Sequence, residues 1–325
     1  MKRLHILVTG GAGYVGSTLV PLLLEQGHRV RVLDVLLHGG QSLLNVWSDP
    51  GFDFVHADIR DRRMLRSSLQ GIDAVVHLAA IVGDPACARQ PDEARDVNFD
   101  ASMNLLEECR RAQVSRLVFA STCSNYGKMP DSDGYVNEDS SLAPVSLYAE
   151  TKVQFEKALL ANDGAGSLCC TPLRFATVYG VSPRMRFDLT VNEFTMDMLT
   201  KKHLVVFGEQ FWRPYVHVRD AARAIHLVLT APEEKVKSQV FNVGSNRQNY
   251  RKLDLVDLIR CHVPEATVQY VRKQEDPRDY RVCFDRISQE LSYSTTRTVE
   301  DGISEVARLV RSGVIRSFDD PNFRN

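Results

Sequence analysis

At 325 residues with 44% hydrophobic side chains, the chain can bury a large core, and one large domain or two interlocked ones is the expectation. A formal net charge of -1 leaves no general basic field for nucleic acid, and no apolar run reaches membrane-span length, so neither partner is expected and the chain reads as cytoplasmic. Its seven cysteines show no Cys-x-x-Cys spacing, which suggests neither a disulfide framework nor a zinc site, and no metal is expected.

The apolar run Leu4 to Val8 predicts a buried strand, and Tyr14 to Gln26 carries apolar residues at helical spacing. Between them lie Gly10, Gly13 and Gly16, three residues apart, a spacing that lets backbone N–H groups and a helix N-terminus close on a pyrophosphate. A second strand, Val30 to Leu33, ends in Asp34, placed to accept hydrogen bonds from an adenosine ribose. Phe52 to Ala57 predicts a third strand, delivering Asp58 and Ile59 to the edge and face of an adenine. The run Arg60 to Arg66 reads as a solvated helix face. Asp73 to Leu78 is a further buried strand whose small Ala79 and Ala80 would let a flat dinucleotide lie close.

Pro91 to Arg111 predicts one helix, and Arg116 to Ala120 a strand that delivers Thr122, Cys123 and Ser124. Strands alternating with helices imply a parallel sheet covered on both faces, with ligands at the C-terminal strand ends. A helix opening near Ser146 carries Tyr148 and Lys152 four apart, hence on one face. An ammonium and an oxidised nicotinamide beside the phenol would favour the phenolate and make it a general base, with Thr122 bonded to the substrate oxygen. Cys169 to Phe175 predicts the next strand. Beyond Gly180 the rhythm loosens, then partly returns with a strand at Leu204 to Phe207, a helix Arg219 to Leu229 and a strand Val240 to Val243. This predicts a nucleotide-binding domain from residues 1–175 plus 215–243, interleaved with a substrate domain from 176–214 plus 244–325.

These motifs together resemble the extended short-chain dehydrogenase/reductases of the nucleotide-sugar epimerase/dehydratase family. The resemblance runs through Thr9 to Gly16, Asp58 to Asp61, His77 to Ala80, Ser121 to Gly127, Tyr148 to Lys152, Leu173 to Phe175, and Arg213 to Asp220. It implies an α/β fold, a Rossmann-type doubly wound parallel sheet with a smaller C-terminal substrate domain. It also implies tightly held NAD, a nucleoside diphosphate sugar, and a homodimer formed by the helices Pro91 to Arg111 and Ser146 to Leu160. By motif, Gly10, Gly13, Tyr14, Val15, Asp34, Asp58, Ile59, Leu78, Ala79 and Ala80 would hold NAD, and Phe175 would flank the nicotinamide. Tyr148 would be the base, Lys152 would hold the nicotinamide ribose and lower the tyrosine pKa, Thr122 would orient the reacting hydroxyl, and Arg213 would clamp the diphosphate.

Dehydratases of this family place an Asp-Glu pair after the threonine, where this chain has Cys123 and Ser124, which points away from dehydration. The 4-epimerases need only Thr, Tyr, Lys and NAD. An epimerase acting at C4 through a transient ketone is therefore the expectation, with a 4-ketoreductase as the alternative, a dehydratase below both, and a regulator that kept only the fold as a further class. Thr177 stands where many epimerases have Asn, and with Arg186 and Asp188 the segment is more similar to uronate 4-epimerases. Arg186, Thr177 and Ser124 would then meet a carboxylate, or equally a neutral sugar. The usual Arg-Pro-Gly-Asp is Asp276-Pro277-Arg278-Asp279 here, which leaves Arg278 as a phosphate contact or as a solvated loop charge.

Overall fold

The computed structural model describes residues 3–129, 134–161, 168–273 and 278–325. Apolar, β-branched runs form β1 (His5–Thr9), β2 (Arg29–Asp34), β3 (Phe52–His56), β4 (Ala74–His77), β5 (Arg116–Thr122) and β6 (Cys169–Phe175). Between them lie α1 (Gly16–Glu25), α2 (Arg62–Ser68), α3 (Asp84–Arg89), α4 (Pro91–Arg95), α5 (Ala101–Arg111) and α6 (Leu147–Ala161). The chain continues through β7 (Thr177–Tyr179), α7 (Thr190–Thr200), β8 (His203–Phe207), β9 (Trp212–His217), α8 (Val218–Thr230), α9 (Glu233–Val236) and β10 (Phe241–Val243). It closes with β11 (Asn249–Arg251), α10 (Lys252–Arg260), β12 (Thr267–Val271), α11 (Asp285–Leu291) and α12 (Val299–Ser312).

Seven strands make one parallel sheet in the order β10-β6-β5-β4-β1-β2-β3, a Rossmann-type doubly wound arrangement. Both faces are buried. Along β1, Ile6 and Val8 pack into one core with Leu19 and Ile225, while Leu7 enters the opposite core with Leu105 and Phe155. Each such side chain contributes about 1.5–3 kcal/mol by leaving water. The strand order reverses between β1 and β4, and it is there that the carboxyl ends leave a crevice for a ligand.

The remaining strands form a three-stranded sheet, β11-β9-β7, and a pair, β12-β8, over a third core that includes Tyr179, Val191, Tyr215, Leu255 and Ile303. The strand at Leu204 to Phe207, expected to resume the main β-α rhythm, belongs to this separate pair. Its exposure alternates, with Leu204 and Val206 inside and Val205 and Phe207 outside, the signature of a half-buried strand rather than one buried on both faces.

One helical expectation is also corrected. The helix from Pro91 to Arg111 is interrupted by a π-helical turn at Asp96–Asp100, which turns Asn98 inward. The Asn98 amide then grips Ile81, accepting from its N–H at 2.8 Å and donating to its carbonyl at 3.0 Å, so this turn positions the loop after β4. The run Arg60 to Arg66 is the solvated helix face expected, with Arg60, Arg62, Arg63 and Arg66 exposed; from it Arg62 and Arg66 also donate to the buried carboxylate of Glu108 on α5, which the hydrogen bond from Arg66 above all holds down at about 2. Five of the seven cysteines are buried, and all seven are free thiols. Among the described residues there is no metal-binding cluster and no helix long and apolar enough to cross a membrane.

Candidate active site

The turn after β1 is built for close approach. Gly10 has φ +75°, and a Cβ there would sit 2.6 Å from the Ala79 nitrogen, so only glycine allows β1 and β4 to end side by side. A Cβ on Gly16 would lie 2.4 Å from the Gly10 carbonyl oxygen, which explains the tight start of α1. Val15 flanks α1, and no side chain among the described residues caps that N-terminus, whose Ser17 N–H is instead bonded to the Gly13 carbonyl at 2.9 Å. Asp34 accepts from Ala12 N at 2.9 Å and from Leu36 N at 2.8 Å; burial raises its carboxyl despite these bonds. The Tyr14 phenol donates to the Gly180 carbonyl at 2.6 Å, so what Tyr14 offers a cofactor is its backbone.

Ile59 is buried beyond β3, whereas the Asp58 carboxylate is taken up by Arg60, with the shortest contact at 2.6 Å. Leu78, Ala79 and Ala80 follow β4 and are partly exposed. Beneath them the buried His77 accepts from the Thr9 hydroxyl at Nδ1 (2.8 Å) and donates from Nε2 to Ser102 (2.9 Å), the tautomer required because Ser102 donates onward to the Asn98 carbonyl. Burial and then Lys152 depress His77 to about 3, so this chain of bonds stays neutral. Turn, carboxylate and small residues thus lie together at the carboxyl ends of β1, β2 and β4.

Tyr148 and Lys152 lie on one face of α6, which packs across the end of β5. Lys152 donates from Nζ to the Ala120 carbonyl at 2.9 Å, and Nζ stands 4.7 Å from the Phe119 ring centre and 5.8 Å from that of Tyr148. Two residues past Ala120, the Thr122 hydroxyl accepts from Ser124 N at 3.1 Å, which leaves its own proton for a substrate oxygen. Burial lowers Lys152 to about 8 and pushes the Tyr148 phenol well up. The leading charge that pulls Tyr148 back down comes from Arg186, not from the lysine one turn away. Cys123 is turned out of the site, its Sγ donating to the Arg174 carbonyl at 3.2 Å, with burial raising the thiol far above its usual range. Phe175 ends β6 and is buried.

Arg186, Arg213 and Arg278 lie close to this centre, each already engaged. The Arg186 fork grips Asp188 at 2.9 and 2.7 Å, so a substrate carboxylate would have to share or displace that partner. Arg213 donates to the carbonyls of Trp212 (2.7 Å) and Arg278 and lies 5.7 Å from the Tyr280 ring centre. Arg278 bridges to Asp84 at 2.6 Å, and Asp84 also accepts from Ser146 at 2.7 Å. Thr177 begins β7, partly exposed. Asp276 and Pro277 lie outside the described residues.

A family model described as the NAD dependent epimerase/dehydratase family matches residues 6–244. The chain belongs to this family. It is an NAD-dependent enzyme. A UDP-glucose 4-epimerase from Lactobacillus helveticus is 32% identical over 281 residues, covering 78% of this chain and 80% of its own. The solved UDP-glucose 4-epimerase of Thermus thermophilus, a complex with NAD, matches with a TM-score of 0.83 at 26% identity, covering 96% of this chain and 100% of its own. DesIV, a dTDP-glucose 4,6-dehydratase from Streptomyces venezuelae with NAD bound, matches with a TM-score of 0.85 at 28% identity, covering 98% and 100%.

Within the family frame, several site residues escape a reading of the sequence alone. Asp84 and Asn98 become visible only when the loop after β4 is seen tied to α6 and to the π turn. Tyr280, buried and facing Ser124 and Arg213, follows a motif that departs from the family pattern.

Proposed function

We propose that the protein is an NAD-dependent epimerase of a nucleoside diphosphate sugar, acting at C4 through a transient ketone. What supports this reading is Tyr148 one turn from Lys152 on α6, with Thr122 at the end of β5 and the neighbouring Cys123 turned away and held as a thiol. Such a site serves reversible oxidation at one carbon and has no added acid and base for eliminating water.

Bound NAD supplies the hydride acceptor and donor. Thr122 holds the sugar hydroxyl, and Tyr148 takes its proton as the ketone forms and returns it after the sugar turns over. Because burial raises the phenol, Tyr148 becomes a base only where positive charge gathers, and Arg186 contributes to that field. Arg213 and Arg278, with Thr177 and Ser124, would meet the diphosphate and sugar. A homodimer through α5 and α6 completes the proposal, checked by light scattering.

The deciding experiment incubates the purified protein, without added cofactor, with a panel of nucleotide sugars and follows interconversion by chromatography, with NAD assayed after denaturation. Interconversion with stoichiometric NAD on board is the expected result. A protein that arrives empty and consumes reduced cofactor in step with a keto-sugar would be a ketoreductase instead.

A further inference from the structure

The segment after β7 runs alongside the start of α1. Ser182 donates from Oγ to the Tyr14 carbonyl at 2.7 Å, and Arg184 N donates to Ser17 Oγ at 3.2 Å. This brings the Arg184 side chain, only 5% exposed, next to a ten-residue helix whose N-terminus has no side-chain cap among the described residues. One nitrogen of that side chain, Nη2, donates to the Arg324 carbonyl at 2.9 Å and to Asn325 Oδ1 at 2.7 Å, and the buried Nε has no partner among the described residues.

The placement is electrostatically incomplete. No carboxylate lies within ion-pair distance of Arg184 among the described residues; Asp188 and Asp34 act on it only from further off. Burial and the neighbouring Arg186 push Arg184 down to about 10, and the Arg184 backbone is bonded to Ser17 in the first turn of α1, the positive end of that helix. A buried guanidinium beside an open helix N-terminus is unfavourable unless an anion lies between them. The diphosphate of a dinucleotide is such an anion, and a guanidinium fork matches its oxygens.

We propose that Arg184 is a cofactor-binding residue, lying across the NAD diphosphate from the α1 N-terminus and steadied by Arg324 and Asn325. The C-terminal segment is itself anchored: Phe187 N donates to the Phe323 carbonyl at 2.8 Å, the Phe187 ring meets Phe318 and Phe323 at 5.1 and 5.8 Å, and Asn325 N donates to Asp188 at 3.1 Å. The substrate half thereby contributes to holding the cofactor. The proposal rests on NAD binding, not on which sugar is turned over.

The test titrates cofactor-stripped protein calorimetrically with NADH, ADP-ribose and adenosine, so turnover is never read and the epimerase reading is untouched by the result. Arg184→Met is expected to weaken NADH and ADP-ribose about 10- to 100-fold while leaving adenosine within about twofold. Arg184→Lys should recover part of the loss, and Asn325→Ala, which loosens the guanidinium without removing its charge, should weaken both diphosphates a few-fold. Unchanged ADP-ribose affinity in Arg184→Met overturns the proposal, as does an equal loss for adenosine, which would mark a role confined to the fold or the ribose end. Should Arg184→Met fail to fold, Arg184→Lys and Asn325→Ala carry the same comparison, and ADP-ribose affinity unchanged in both overturns it.

Discussion

Replacing Lys152 by Met should stabilise the cofactor-free protein while abolishing its activity. The ammonium is 3% exposed and titrates at about 8 in the fold, against about 10.5 for a free lysine. At about 1.4 kcal/mol per pH unit, holding that charge inside opposes folding by about 3 kcal/mol at neutral pH. Losing the bond to the Ala120 carbonyl and the contact with the Phe119 ring offsets about 1–2 kcal/mol of the relief. A net gain of about 1–2 kcal/mol remains, which for a chain of this size raises the unfolding midpoint by about 1.5–3 °C. The sign with pH follows from the same numbers. Between about 8 and about 10.5 the unfolded chain binds a proton the folded chain has released, so the parent gains stability as pH rises through that window. The variant should lack this gain. Differential scanning calorimetry of stripped protein at pH 7 and pH 10 measures both effects. A variant less stable than the parent at pH 7 with the same pH slope would refute the claim that Lys152 is a strained, functional charge.

Tyr148→Phe should lower turnover by about 10²- to 10⁴-fold while leaving NAD content and unfolding midpoint near the parent values; turnover within tenfold of the parent removes the phenol from the proton step. Gly10→Ala forces a side chain into φ +75° and against the Ala79 backbone, so destabilisation of about 2 kcal/mol or more, with loss of bound NAD, is expected in urea titration and cofactor release. Glu156→Ala leaves the Arg174 guanidinium, 5% exposed on its side chain, without the carboxylate 2.5 Å away, and about 3–5 kcal/mol of stability should disappear. An unfolding curve unchanged from the parent would show that this buried pair relaxes by other contacts.

The main sheet was readable because strands buried on both faces are continuous apolar runs: Leu4 to Val8 and Asp73 to Leu78 fall within a residue or two of β1 and β4. The smaller sheets were not. Trp212 to His217 carries Pro214 and Arg213 inside a strand, and Leu204 to Phe207 shows an alternation that reports burial but not the partner strand. For the site, spacing alone puts Tyr148 and Lys152 on one helix face, since four residues make about one turn. It could not show that Arg186 rather than Lys152 exerts the leading pull on the phenol, nor that Asn98 grips Ile81, because both depend on contacts across long stretches of chain.

The bond from the Tyr14 phenol to the Gly180 carbonyl, with Asn192 bonded to both, rivets the first loop of the sheet to the outer half of the molecule. If swapping one coenzyme for another breaks that joint, the exchange passes through a local melting with its own activation barrier. The residence time of the coenzyme should then shorten on heating as steeply as unfolding rates rise.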